Sequence, residues 1–306
     1  KPSSAASDVY KRQHKMSVMM ARFYPLVCFI FLLLPFLSGA QPQQVIYSWP
    51  MSMLSDVRGS YPIALLHLAI EKSGTDYQLV PSGQVMTQHR TLRQLGSNNG
   101  LDVVWTMTSP EREKELRPIR IPIDRGLIGW RLLLIHQDNE QKIQQLDERQ
   151  LKNSPSVQGS DWPDYPILKA NHFRVLGSGD FDSMFKMLKA RRIDYFPRSI
   201  TEIWPELQQR PGMSLAVAPK WVLNYPAALY FFVQKDNIEL ANAIEIGLLR
   251  AIEDGSMQQL FLQHFSSAIQ QADLKSRTVI QLTNPILPAE TPLKNKMLWF
   301  DPQLGY

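Results

Sequence analysis

The tetrapeptide Ser109-Pro110-Glu111-Arg112 joins chemistry to geometry in a way few stretches of this 306-residue chain do. A serine hydroxyl can cap a helix, a proline suits its first position, and an acidic residue favours the positive helix end. The arginine that follows stands against that dipole. An external anion would compensate it, because free amide groups and a guanidinium then converge on one point beyond a strand end. An ordinary surface arginine paired with Glu115 or Asp102 would show the same spacing. Aromatic residues cluster at comparable positions: Tyr47 and Trp49 after the first strand-like run, Trp105 at the end of "LDVVW", and Trp162 and Tyr195 further on. Rings of this size go most often to core packing. Several at strand ends together suit an apolar cleft with a few fixed polar groups. Gln88 and Arg90 fall at the edge of this set and outside the expected site.

Other chemistries lack their residues. The five histidines after residue 40 are far apart, with no His-Glu-x-x-His or Cys-x-x-Cys spacing, so no metal is expected. No Gly-x-Ser-x-Gly turn is present for a serine nucleophile. The single cysteine, Cys28, lies in an apolar leader, which leaves the remainder without a disulfide or a thiol nucleophile. No cofactor is expected.

The elements that would hold these residues alternate strand and helix. "QVIYSW", "DYQLVPS" and "LDVVW" read as strands, and "YPIALLHLAIEKSG" and "HRTLRQLGSNNG" as helices between them. A second set begins near Gly129 with "GWRLLLIHQ" and continues through "PSVQGSDW", "FRVLGSGDF", "FDSMFKMLKARR" and "IDYFP". The strand-like "AALYFFVQ" and two helical runs ending near Ala272 follow, before a proline-punctuated tail. This alternation implies α/β architecture with mainly parallel sheets.

Residues 1–15 resemble translated sequencing-adapter sequence and are set apart from the protein. Residues 16–40 read as a secretory leader, with an apolar stretch from Phe23 to Leu37 and cleavage near Ala40; retention as an N-terminal anchor is the alternative. Five of the 33 basic and one of the 28 acidic residues lie in this N-terminal part. The rest carries about one net positive charge, which gives no reason to expect a nucleic-acid partner.

"LDVVWTMTSPEREKEL", "YFFVQKDNIELANAIEIGLLRAIEDG" and "SVQGSDW" together resemble family 3 extracellular solute-binding proteins, the type II periplasmic binding proteins of amino-acid ABC transporters. The resemblance covers roughly Val45 to Ala272. It implies two lobes, the first discontinuous: residues 45–126 plus 228–275, with the second at 127–227 and an extended C-terminal tail at 276–306. Two crossing segments, "DRGLIG" and "LNYPAA", would form the hinge. Arg112 matches the family arginine that grips a ligand carboxylate, with Ser109 in place of the usual threonine. Thr108, Trp105, Tyr47, Trp49 and the turn Gly159-Ser160-Asp161 complete the implied site. The family's second-lobe carboxylate, which takes an α-ammonium group, is replaced by Ser199 with Arg198 beside it. Two arginines without an ammonium partner favour an anionic solute, unless Glu202 or Asp161 substitutes.

The implied function is a monomeric periplasmic protein that closes on a carboxylate-bearing, amino-acid-like or anionic solute. It would present that solute to ABC transporter membrane subunits or to a membrane sensor. A dehydratase-like enzyme using Glu111, Glu113 or Asp161 is the rival reading. A binding protein whose cleft is plugged, with Met53, Met86 and Met107 nearby, is a third.

Overall fold

A computed structural model describes residues 42–49, 60–97 and 100–305. The adapter-like stretch, the leader, Met53 and the side chain of Trp49 lie outside the described residues. Gln43–Tyr306 hold together as one compact unit.

In chain order the elements are β1 (Gln43–Trp49), α1 (Ser60–Ser73), β2 (Tyr77–Val85), α2 (Gln88–Gly96), β3 (Val103–Met107), α3 (Pro110–Glu115) and β4 (Leu116–Ile119). Next come β5 (Trp130–His136), α4 (Glu140–Gln145), α5 (Glu148–Asn153), β6 (Ser156–Gly159), α6 (Asp164–Ala170), β7 (Val175–Ser178), α7 (Phe181–Lys189), β8 (Tyr195–Ser199), α8 (Ile200–Gln208) and β9 (Leu215–Asn224). The chain closes with β10 (Leu229–Gln234), α9 (Ile238–Glu253), α10 (Ser256–Ala272) and β11 (Thr278–Gln281).

Two mixed sheets result. The first has the order β2-β1-β3-β10-β4, and the second β11-β9-β5-β8-β6-β7. Strands β2, β1 and β3 run parallel, as do β8, β6 and β7. Strand β10 is antiparallel to both β3 and β4, and β5 is antiparallel to both β8 and β9. Each sheet is thus mainly parallel, as expected, with one strand running against the rest: β10 in the first sheet and β5 in the second. All first-sheet strands fall at 43–119 or 229–234, and β5 to β9 fall at 130–224. The tail supplies β11, which pairs in parallel with β9 and forms one edge of the second sheet.

Apolar patterning accounts for the strands. In β5 the aliphatic run Leu132 to Ile135 follows Arg131 and is fully buried beneath flanking helices. Helices α1 and α9 cross so closely that a Cβ at Gly247 would overlap the carbonyl of Ala69. Two elements escape the sequence patterns. Pro205 inside α8 and Pro219 inside β9 are residues that normally argue against those assignments.

The crossing segments lie side by side. Tyr225 donates its backbone N–H to the carbonyl of Gly129 at 3.2 Å, and Ile123 donates to Leu229 at 2.9 Å. Gly129 admits no side chain, since a Cβ there would overlap the Tyr225 carbonyl oxygen. At the turn between β4 and β5, Arg125 (φ 54°) and Gly126 (φ 78°) both take the left-handed conformation.

Candidate functional site

Two cavities open between the sheets at the strand ends. One, of about 270 Å³, is walled by Trp105, Thr106 and Met107 of β3 and by Tyr61, Gln88, Asp124, Arg131, Trp162, Asp164, Phe181, Arg198 and Glu202. A second, of about 420 Å³, is lined by Ser109, Glu111, Arg112, Ser160, Asp161 and Ile286. Leu92, Trp162 and Pro163 border both, so they are neighbouring compartments of one cleft.

Arg112 sits at their boundary. Ser109 caps α3 by accepting from the Arg112 amide at 3.4 Å, and Pro110 occupies the first turn. The guanidinium then folds back towards the end of β3. Its Nη1 donates to Thr106 Oγ1 at 2.8 Å and to the Met107 carbonyl at 2.5 Å, and its Nη2 donates to Gln88 Oε1 at 2.7 Å. All three acceptors are neutral. No carboxylate among the described residues pairs with it: Asp102 instead accepts from the Ile46 amide at 2.7 Å. Burial lowers the Arg112 pKa to about 10, against weaker support from Asp161, Asp164 and Glu111. The cation is therefore desolvated and bonded only to neutral groups, with donor capacity left on its fork.

The second-lobe arginines behave otherwise. Arg198 is 1% exposed; it grips Glu206 through Nε at 2.7 Å and Nη2 at 2.5 Å, and also meets Glu202 at 3.1 Å. The rings of Trp162 and Phe196 lie about 5 Å from its guanidinium carbon, at 5.0 and 4.9 Å. Arg131 is equally buried, with Asp164 at 2.6 Å, Glu202 at 3.0 Å and the Tyr225 hydroxyl at 3.0 Å. Burial works against the Arg131 charge, but Asp164, Tyr225 and Glu202 outweigh it and hold its pKa above the ordinary value.

These contacts correct the charge argument drawn from sequence. Arg198 forms part of the wall, but its charge is already neutralised, and the cavity carries Asp164 and Glu202 besides. Ser199, expected at the position of the family's second-lobe carboxylate, has its hydroxyl engaged within the second lobe. It caps α8, donates its hydroxyl to the Leu127 carbonyl at 3.1 Å, and forms a capping box with Glu202. The Ser-x-x-Glu spacing of residues 199–202 was the available signal.

Of the other expected residues, Trp105 lines the first cavity and Ser109, Ser160 and Asp161 the second. Thr108 is buried and donates to Glu113 at 2.6 Å. Gly159 packs beneath the Trp162 ring, which occupies the place a Cβ would need. Tyr47 is buried edge-on to His67, outside both cavities, and Tyr195 is core, donating to the Leu151 carbonyl at 3.0 Å. Glu113 is held by Thr108 and Arg120, which takes it out of the running as an acid facing the cleft. Met86 and Met107 border the first cavity without filling it.

Sequence reasoning set Gln88 aside, although it holds Arg112, and it missed Arg131, Asp164 and Asp124. Arg131 had a signal, as the one charged residue in an otherwise apolar strand. Asp124 accepts from the Gly126 and Ile128 amides at 3.1 and 2.7 Å, and burial pushes its pKa up to about 7 in spite of those bonds. Among the described residues, no group of three or more His, Cys, Asp or Glu is placed to hold a metal ion.

No protein-family model and no curated protein matches the chain. Solved structures do. An ancestral arginine-binding protein bound to arginine is 17% identical, with a TM-score of 0.55, covering 74% of this chain and 99% of its own. The probable amino-acid ABC transporter extracellular-binding protein ytmK from Bacillus subtilis is 18% identical at TM-score 0.54, covering 72% and 97%. A putative L-cystine ABC transporter from Listeria monocytogenes is 18% identical at TM-score 0.52, covering 73% and 96%. Likeness at such identities is a likeness of fold, and the chain thus has the mixed α/β, two-lobed fold of these solute-binding proteins.

Proposed function

We propose that this protein is an exported solute-binding protein that closes its lobes on a small, amino-acid-like carboxylate and hands it to a membrane partner. The observation that carries this reading is the Arg112 guanidinium, desolvated in the cleft with neutral partners only. A ligand carboxylate would complete its hydrogen bonding and relieve the cost of the buried charge. Thr108 and Ser109 position the helix that carries it. Ser160 and Asp161 face it from the second lobe, and Trp105 and Trp162 supply apolar walls. Asp161, Asp164 and Glu202 offer acceptors for an ammonium group, so a zwitterion suits the cleft better than a dianion. The solved neighbours support the reading through what their names state: one is bound to arginine, and others are named as amino-acid or cystine transport components.

In this reading the leader directs the chain to the periplasm, where it acts as a monomer without cofactor or catalysis. Its partner is the membrane subunits of an ABC permease, or a membrane sensor that reads closure of the lobes. Calorimetric titration against the common L-amino acids and short dicarboxylates tests it. At least one free amino acid should bind saturably without turnover. Tighter binding of a dicarboxylate than of any amino acid, or conversion of the solute, would overturn it.

A further inference from the structure

The C-terminal segment does more than cover surface. Beyond β11 it stays on the second lobe: the Leu282 amide donates to Asn224 at 2.7 Å, and the Thr283 amide to Asn171 Oδ1 at 3.0 Å. Asn284 then reaches the second crossing segment, donating its side-chain amide to the Pro226 carbonyl at 2.9 Å. Ile286 forms part of the wall of the Arg112 cavity, and Leu287 to Glu290 line a further pocket together with Pro110, Glu113, Lys114 and Arg120 of the first lobe. Finally the chain closes on the first crossing segment. Phe300 donates its amide to the Arg125 carbonyl at 2.7 Å, Arg125 Nη2 donates to the Met297 carbonyl at 3.1 Å, and the Trp299 ring covers Gly126.

The residues so gripped are those that must turn for the lobes to move. Arg125 and Gly126 carry the left-handed turn, and a β-carbon-bearing residue such as Arg125 holds that conformation only when its surroundings enforce it. Pro226 lies on the other crossing segment, directly after Tyr225, which touches Gly129. The segment thus bonds to both crossing segments while its ends and middle rest on different lobes.

We propose that residues 282–300 form a third interlobe connection, a strap that limits rotation about the two crossing segments and bounds the Arg112 side of the cleft. Opening on that side then requires Asn284 to leave Pro226 or Trp299 to leave Gly126. Most hinge bonds are backbone to backbone and insensitive to side-chain exchange, whereas these two contacts depend on one side chain each.

Double electron–electron resonance on the full chain tests this without any ligand. Spin labels go on cysteines introduced at the exposed positions Glu245 (first lobe) and Lys189 (second lobe), with Cys28→Ser as background. The parent should give one narrow distance distribution. Asn284→Ala and Trp299→Ala should each broaden it and shift it to longer distance, and the pair should do so further. Asn284→Ala removes one half-buried amide and no apolar packing, so it retains the fold. Its parental distribution, together with a parental distribution in Trp299→Ala, would overturn the strap.

Discussion

Replacing Arg112 separates the cost of holding its charge from the benefit of using it. Burial moves its pKa from 12.5 to about 10, which corresponds to roughly 3 kcal/mol spent on keeping the cation in the cleft. Three hydrogen bonds to Thr106, Met107 and Gln88 offset that cost in the free protein. Arg112→Met loses both terms together, so the ligand-free melting temperature should move by only a few degrees, at about 2–4 °C per kcal/mol for a chain of this size. Binding should respond very differently. A charge-assisted bond to a ligand carboxylate contributes about 1.5–3 kcal/mol, so affinity should fall roughly 10- to 100-fold in the methionine variant. Arg112→Lys keeps a charge but not the planar fork, and should fall between the two. The assay is calorimetric titration with the tightest-binding amino acid found for the parent. Methionine-variant affinity within about threefold of the parent, roughly 0.6 kcal/mol, would refute the assignment, because no carboxylate could then be meeting that guanidinium.

Asp124 should make stability fall as pH rises. Its folded pKa of about 7 stands above the ordinary 3.8, so its contribution is intact below about pH 4 and is lost as pH climbs through 7. Asp124→Asn should flatten that part of a melting-temperature profile between pH 4 and 8, and identical slopes in the two proteins would count against the buried carboxyl. Gly247→Ala forces α9 away from the Ala69 carbonyl, and should cost about 1–3 kcal/mol in urea unfolding. Glu206→Gln removes the bidentate partner of Arg198 in a wholly buried setting, and should lower unfolding free energy by about 3–5 kcal/mol. A loss below about 1 kcal/mol would mean that Glu202 alone suffices for that arginine.

The sequence carried the alternation of elements and the identity of Arg112, because both are local. Strand patterning, the Ser109 cap with Pro110, and the glycine after α9 are written in adjacent residues. What stayed hidden is non-local. Nothing near Arg198 shows that Glu206 lies two turns along a helix interrupted by Pro205, or that Arg131 would meet Asp164 and Tyr225 from segments 33 and 94 residues away. Pro219 likewise disguised β9, whose pairing with β5 and β11 shows only in the sheet. The tail beyond β11 lacked any periodicity because its contacts, such as Thr283 with Asn171, Asn284 with Pro226 and Phe300 with Arg125, are made one residue at a time.

The site's three arginines show why residue type alone does not mark a binding position. Arg131 and Arg198 share Glu202 and have Asp164 and Glu206 besides, so two cations face three carboxylates within one lobe. Such a network is rigid and its attraction is already spent; closing the cleft over it gains little new pairing. Arg112 is the opposite case, a cation whose partners are a hydroxyl, an amide oxygen and a peptide carbonyl. In the proposed reading a solute's carboxylate therefore adds most at Arg112, and its ammonium group falls to Asp161, which lines the Arg112 cavity and is not part of that network. In that reading the division of charge across the cleft ties binding to closure: a zwitterion satisfies both ends only when the two lobes are together.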